Sequence, residues 1–348
     1  MRVLDAAWVL PEHYYSQDAL SAALKKHWGD KLFNPERLEQ LHRNVLVSGR
    51  HLALRLEEYE GLTFRGANDA YVRCAVDLGA RALQEVLERS GLTPSEIDHL
   101  FFVSTTGIAT PSIDARLVNR LALRPNVKRS PLFGLGCAGG AVGITRAADY
   151  LRAFPSETAV LLSVELCSLT LQREDLSIPN LIASGLFGDG AAAVVLVGAD
   201  RMAAGPTVVA SRSVFYPDTE HIMGWDVTDK GLGVVLSAEI PDLVRREMRR
   251  NVDDFLGAHR LGLESIETFV CHPGGPKVLE AFSEALDVPR EALALTWQSL
   301  ERFGNLSSVS VLVVLADTLR QRTPAPGSHG LLLAMGPGFA TELVLLRW

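Results

Sequence analysis

The sequence contains no cysteine pairs. Its four cysteines, Cys74, Cys137, Cys167 and Cys271, lie far apart and form no C-x-x-C motif. This argues against a zinc site or a disulfide framework and for reduced thiols in a cytosol-like compartment. Positive charge is not in excess either: 34 Lys and Arg against 41 Asp and Glu give a net charge of −7. Such a balance has no electrostatic footprint for nucleic acid or an anionic membrane. The densest basic run, Arg245-Arg246 with Arg249-Arg250, is interrupted by Glu247 and reads as a solvated helix face. No apolar stretch reaches membrane-spanning length, and Met1 to Asp5 does not open a signal peptide, so a cytoplasmic protein is expected. Low-complexity segments are missing too. What is present is a soluble composition, 47% hydrophobic and 22% charged over 348 residues, enough for two core-bearing lobes.

Hydrophobic spacing lays out alternating helices and strands. Residues 18–27 and 35–45 carry helical spacing, and 49–54 reads as a short strand. Residues 68–90 form a long amphipathic helix with Ala70, Ala75, Leu78, Leu83 and Val86 on its apolar stripe, ended by Gly91-Leu92-Thr93-Pro94. Strands at 99–104, 158–165 and 191–197 and helices at 113–121, after Cys137 and near 180–185 complete the first half. The second half has a strand at 207–215, an irregular stretch at 217–233, and a helix at 241–256. A strand at 268–271, helices at 277–286 and 305–320, and strands at 330–335 and 341–346 follow. A long helix, a Gly-Leu turn with an acidic residue and an apolar strand succeed one another around Gly91 and again around Gly262. This echo predicts an α/β fold of two related lobes, residues 1–200 and 201–348.

The stretch Leu135-Gly136-Cys137-Ala138-Gly139-Gly140 places a thiol at a strand-to-helix turn, near the amino end of a buried helix. The helix dipole and free N–H groups there favour an anion, so such a thiol tends to ionise. Cysteine also serves simply as a core residue. After an apolar strand comes His272-Pro273-Gly274-Gly275-Pro276, an imidazole on a stiff loop. Gly304-Asn305-Leu306-Ser307-Ser308 offers the amide of Asn305 at the opening of a helix, a place where asparagine also caps. Together the three make a constellation. An imidazolium beside a thiolate keeps the sulfur nucleophilic at neutral pH. Histidine and asparagine can also donate two hydrogen bonds to a thioester oxygen and stabilise an enolate or a tetrahedral oxyanion. Acyl transfer followed by decarboxylative carbon–carbon bond formation fits this set. A protein that only bound acyl-CoA would not need all three groups.

Five motifs occur in the order seen in chalcone synthase-like type III polyketide synthases, which the chain resembles from about Gly49 onward. They are Gly136-Cys137-Ala138-Gly139-Gly140, Leu186-Phe187-Gly188-Asp189-Gly190-Ala191-Ala192, His272-Pro273-Gly274-Gly275-Pro276, Gly304-Asn305-Leu306-Ser307-Ser308 and Gly336-Pro337-Gly338. The resemblance implies the thiolase fold, two αβαβα lobes per subunit, and a homodimer. It implies that Cys137 takes an acyl group from a CoA thioester. His272 and Asn305 would then assist decarboxylation of malonyl-CoA, with no acyl carrier protein and no cofactor. Initiating ketoacyl synthases share Cys-His-Asn, but their histidine motif usually runs His-Gln-Ala-Asn, against His-Pro-Gly-Gly-Pro here.

The same resemblance assigns the surroundings. Phe187 stands as the gatekeeper between site and CoA tunnel, and Val234 replaces a second gatekeeper Phe, which widens the cavity. Thr110, before Pro111, stands where plant members place a Met that reaches into the partner's cavity. Cys167 matches bacterial members in which a small residue helps open a tunnel for a fatty acyl chain. Thr106, Thr170 and Ser307 match cavity positions, Trp225 blocks one side where plant members often have Gly, and Gly336 and Pro337 shape the cavity from below. Arg37 and Arg43 on an early helix are the candidates for CoA. The expected activity is condensation of a medium- or long-chain fatty acyl-CoA with malonyl-CoA to alkylpyrones or alkylresorcinols. A malonyl-primed tetrahydroxynaphthalene-type synthase is the alternative, and a ketoacyl synthase dependent on a carrier protein is another. No residue that would activate water for aldol closure is identifiable in the sequence.

Overall fold

The computed structural model describes residues 1–32, 34–321 and 324–348. Strand β1 (Arg2–Val9) is followed by β2 (His13–Ser16), helices α1 (Gln17–Trp28) and α2 (Pro35–Asn44), and β3 (Gly49–Leu52). Then come α3 (Phe64–Ser90), β4 (His99–Val103), α4 (Ile113–Arg120), β5 (Lys128–Leu132) and α5 (Gly139–Ala153). Strand β6 (Thr158–Leu166), α6 (Ile178–Leu186) and β7 (Asp189–Val197) close the first half. The second half holds β8 (Thr207–Phe215), β9 (Met223–Thr228), β10 (Gly231–Leu236), α7 (Ile240–Gly257), β11 (Ile266–Cys271) and α8 (Pro276–Leu286). It ends with α9 (Ala294–Phe303), α10 (Ser308–Gln321), β12 (His329–Gly336) and β13 (Ala340–Arg347).

Nine strands share one sheet in the order β11-β12-β13-β8-β1-β7-β6-β4-β5. The halves repeat a pairing pattern. From β1 the partners run antiparallel to β7, antiparallel to β6 and parallel to β4. From β8 they run antiparallel to β13, antiparallel to β12 and parallel to β11. The echo read around Gly91 and Gly262 therefore leads into β4 and β11, which hold equivalent places. Side chains alternate between faces along each strand, because the side-chain period of a strand is two. On β4, Phe101 and Val103 join a central core while Leu100 and Phe102 join an outer one under α3. On β12, Leu332 and Ala334 join the same central core, and Leu331 and Leu333 pack under α7 and α8. The central core is filled by α5 and α10, apolar on nearly every side of α10 and hence buried. The layers thus run α3, first half-sheet, α5 with α10, second half-sheet, α7 with α8.

Three expectations change. The stretch read as irregular contains the β9–β10 hairpin, whose two strands form a separate sheet. Helix α9 was not anticipated, and α10 begins at Ser308, so Asn305 lies before the helix.

Candidate active site

Cys137 sits in the turn Gly136–Ala138 that opens α5, and its thiol is buried. Glycine makes this junction possible: a Cβ on Gly140 would lie 2.3 Å from the Ser308 carbonyl oxygen, so the starts of α5 and α10 touch directly. The thiol points at the Ser307 hydroxyl, 3.7 Å away. His272 follows β11, and its backbone N–H donates to the Leu333 carbonyl at 2.9 Å. Both of its ring nitrogens are buried without a partner among the described residues. Asn305 connects the two. Its Oδ1 accepts from the Ser307 N–H at 2.8 Å and its Nδ2 donates to the Gly274 carbonyl at 3.2 Å. The amide is therefore oriented with its donor toward the histidine loop, as an Asx turn and not as a helix cap.

Electrostatics differ from the expectation for a helix terminus. Burial pushes the Cys137 thiol up to about 12, although Ser307 and Asn305 pull it down. Burial holds the His272 imidazole down at about 3. Placement at the start of α5 thus does not ionise the thiol by itself, because loss of water outweighs the terminal N–H groups. Burial therefore favours the neutral form of both groups.

A cavity of about 40 Å³ in front of Cys137 is lined by Thr105, Cys167, Phe187, Trp225, Val234, Ser307 and Pro337 among others. A wider apolar cavity of about 140 Å³ lies outside it, walled by Leu20, Leu24, Leu52 and Leu56, with Thr170 and Arg50. Cys167, Phe187, Trp225 and Val234 line both and form the partition. Trp225 and Val234 face each other across the β9–β10 hairpin, and the Trp225 indole donates to the Thr105 carbonyl at 2.9 Å. Gly336 packs beneath the cysteine turn, since a Cβ there would stand 2.4 Å from the Leu135 carbonyl oxygen.

Several expected residues lie elsewhere. Thr106 is turned from this cavity: its hydroxyl donates to Glu165 at 3.0 Å and accepts from the Leu166 N–H at 2.8 Å. Thr105 faces the cavity in its place. Thr110 is exposed and lines neither cavity of this chain. Arg37 and Arg43 are exposed on α2 and line neither cavity; Arg43 pairs with Glu39 at 3.6 Å. The basic side chains lining the outer cavity are His27, Arg50 and Arg173.

Sequence reasoning also missed Glu165. It is fully buried and accepts from the Thr105 N–H at 2.9 Å, the Thr105 hydroxyl at 3.1 Å and the Ser308 hydroxyl. Burial raises its carboxyl above the usual range while those donors pull it back. Its signal was available, as the lone acid in the apolar run TAVLLSVEL.

The structure thus holds a buried thiol at the start of α5, an unpartnered imidazole after β11 and an oriented amide before α10. Similarity to known proteins identifies the family. The chain matches the profile of chalcone and stilbene synthases, N-terminal domain, over residues 11–201, and the corresponding C-terminal domain over residues 207–348. It is 50% identical to a 1,3,6,8-tetrahydroxynaphthalene synthase of Streptomyces peucetius subsp. caesius, over 97% of this chain and 91% of that one. A phloroglucinol synthase of Pseudomonas fluorescens is 31% identical over 98% and 97% of the two chains. The crystal structure of the Streptomyces coelicolor tetrahydroxynaphthalene synthase superposes with a TM-score of 0.95 at 29% identity, covering 100% of this chain and 99% of that one. With matched domains along nearly its whole length and the thiolase-type layers in place, the chain belongs to the chalcone and stilbene synthase family, as a type III polyketide synthase.

Proposed function

We propose that this condensing acyltransferase primes with malonyl-CoA as well as extending with it, and releases a polyhydroxylated aromatic of the tetrahydroxynaphthalene type. This replaces the fatty acyl starter as the main reading. The carrying observation is the 50% identity to a synthase of that name. The narrow cavity in front of Cys137, closed by Trp225 on the Thr105 carbonyl, suits small acyl units.

In this reading Cys137 Sγ attacks the thioester carbonyl, and its proton passes to His272 as general base. The attack gives a tetrahedral intermediate whose collapse does not depend on Asn305, because the hydrogen bond from Asn305 Nδ2 is made in the decarboxylation step. That intermediate expels CoA as a thiolate, which takes the proton back from His272. A second malonyl-CoA then loses carbon dioxide, and the electron pair left behind forms an enolate whose oxygen lies against His272 and Asn305. The enolate carbon attacks the Cys137 thioester, the carbon–sulfur bond breaks, and the lengthened chain leaves on CoA. Ring closure by aldol chemistry uses Glu165, which reaches the cavity through the Thr105 hydroxyl. The chain works as a homodimer, supported by the exposed Ile108 and Phe133, at 51% and 60%.

A second reading retains the fatty acyl starter, favoured by the apolar outer cavity that adjoins the site at Cys167. Mass spectrometry of products from malonyl-CoA alone, and with a ladder of acyl-CoA starters, decides. An aromatic product from malonyl-CoA alone is expected. Product masses that track the added starter would replace this reading with the second, and activity only with an acyl carrier protein would overturn both.

A further inference from the structure

We propose that Arg50 is a positioning residue that locks the Phe187 partition and the Asn305 donor into one rigid unit. The proposal rests on the reading of Cys137, His272 and Asn305 as the reacting groups. Arg50 comes from β3, distant in sequence from all three, and is only 4% exposed. Its Nη1 donates to the Phe187 carbonyl at 2.9 Å. Phe187 and Asn305 are joined by an isolated β-bridge: the Asn305 N–H donates to the Leu186 carbonyl at 2.9 Å, and the Gly188 N–H donates to the Asn305 carbonyl at 3.0 Å. The arginine stem lies over this crossing. Its methylenes stand 3.5 Å from where a Cβ of Gly188 would be and 3.4 Å from that of Gly304.

Packing alone does not require a cation there. Among the described residues no carboxylate lies within 4.0 Å of the guanidinium, and its Nε has no partner. Asp189 supplies attraction from farther away while its oxygens are engaged by the Ala53 N–H at 2.7 Å and the Ser168 N–H at 2.8 Å. Burying a cation without a contact ion pair is unfavourable, and an apolar side chain of similar length would fill the space without that penalty. What the apolar side chain would lack is the hydrogen bond that fixes the Phe187 carbonyl. Through the bridge, slack at Phe187 becomes slack at Asn305, where small misplacements of an oxyanion donor are magnified into rate.

The test separates loading from decarboxylation. Arg50→Met is compared with wild type for acyl loading of Cys137, by intact-protein mass spectrometry, and for malonyl-CoA decarboxylation. Decarboxylation is expected to fall by ~10²-fold, with loading within about threefold and the melting temperature maintained or raised. Arg50→Lys should recover part of the rate. Because Arg50 lines the outer cavity, Arg50→Ala should be rescued by millimolar guanidinium and not by urea. Equal decarboxylation in wild type and Arg50→Met would overturn the proposal. So would parallel loss of both steps without guanidinium rescue, which would mark Arg50 as structural only. A wild-type protein that loads Cys137 yet never decarboxylates malonyl-CoA would overturn the reading of the reacting groups, and the proposal with it.

Discussion

Removing His272 should strip Cys137 of its reactivity toward small electrophiles, not merely toward substrate. The thiol alone is held at about 12 by burial. At pH 8 a group titrating there is ionised in roughly one molecule in 10⁴. With His272 present, both charges appear together and attract one another in a medium of low dielectric, which offsets much of that penalty. The variant His272→Gln keeps a polar side chain of similar reach but cannot accept the proton. Iodoacetamide labelling, followed by intact mass and peptide mapping, reads the thiolate directly. Labelling of Cys137 at pH 8 should fall by at least ~10²-fold, short of the full factor because substitution admits some water. It should then climb about tenfold per pH unit up to the alkaline limit of the fold. Cys74, half-buried on α3, is the internal control and should label equally in both proteins. Labelling of Cys137 within about threefold of wild type would refute the reasoning. The thiolate would then depend on the helix terminus, Ser307 and Asn305 and not on the imidazole.

Other consequences follow from the same geometry. Trp225→Gly should merge the two cavities and let medium-chain acyl-CoA starters compete with malonyl-CoA, read as new product masses; an unchanged profile would mean that the partition does not select substrate. Glu165→Gln should leave chain extension within about tenfold and shift products from aromatic rings toward lactones, and an unaltered product ratio would remove Glu165 from ring closure. Acid should weaken the fold. Buried His42 and His99 titrate at about 4 when folded, against an ordinary 6.5. Each therefore contributes stability that is present above pH 6.5 and lost as pH falls toward 4, roughly 3 kcal/mol for His42 and less for His99, which lies nearer solvent. Asp189, raised to about 6 from 3.8, acts in the opposite sense by roughly one such increment, so it offsets only part of the loss. The melting temperature should drop between pH 6.5 and 4.5, less so in His42→Gln, and a flat profile would contradict this assignment.

Much of the molecule was legible before folding. Strands β6 and β7 are continuous apolar runs because both faces are covered, and that leaves a plain mark in composition. In the cysteine turn and before Asn305, glycine is required because a Cβ on Gly140 or Gly304 would strike the Ser308 or Leu186 carbonyl oxygen, and in the histidine loop because Gly275 holds a φ of +154°. Chemistry that depends on local chain geometry was therefore readable. What depends on which segments meet was not. The β9–β10 hairpin leaves its Asp226–Thr228 end exposed, and its Gly, Trp, Asp and Thr show no apolar alternation, so it read as irregular. Thr105 and Thr106 both bond to Glu165, yet only Thr105 also lines the cavity, a difference that nothing in the sequence marks. Arg50 looks like an ordinary charged residue until the tertiary structure buries it, whereas Glu165 already stands out as an acid in an apolar strand. Burial also reverses the expected charge on Cys137, because a helix terminus acts locally whereas desolvation comes from every element packed around the thiol.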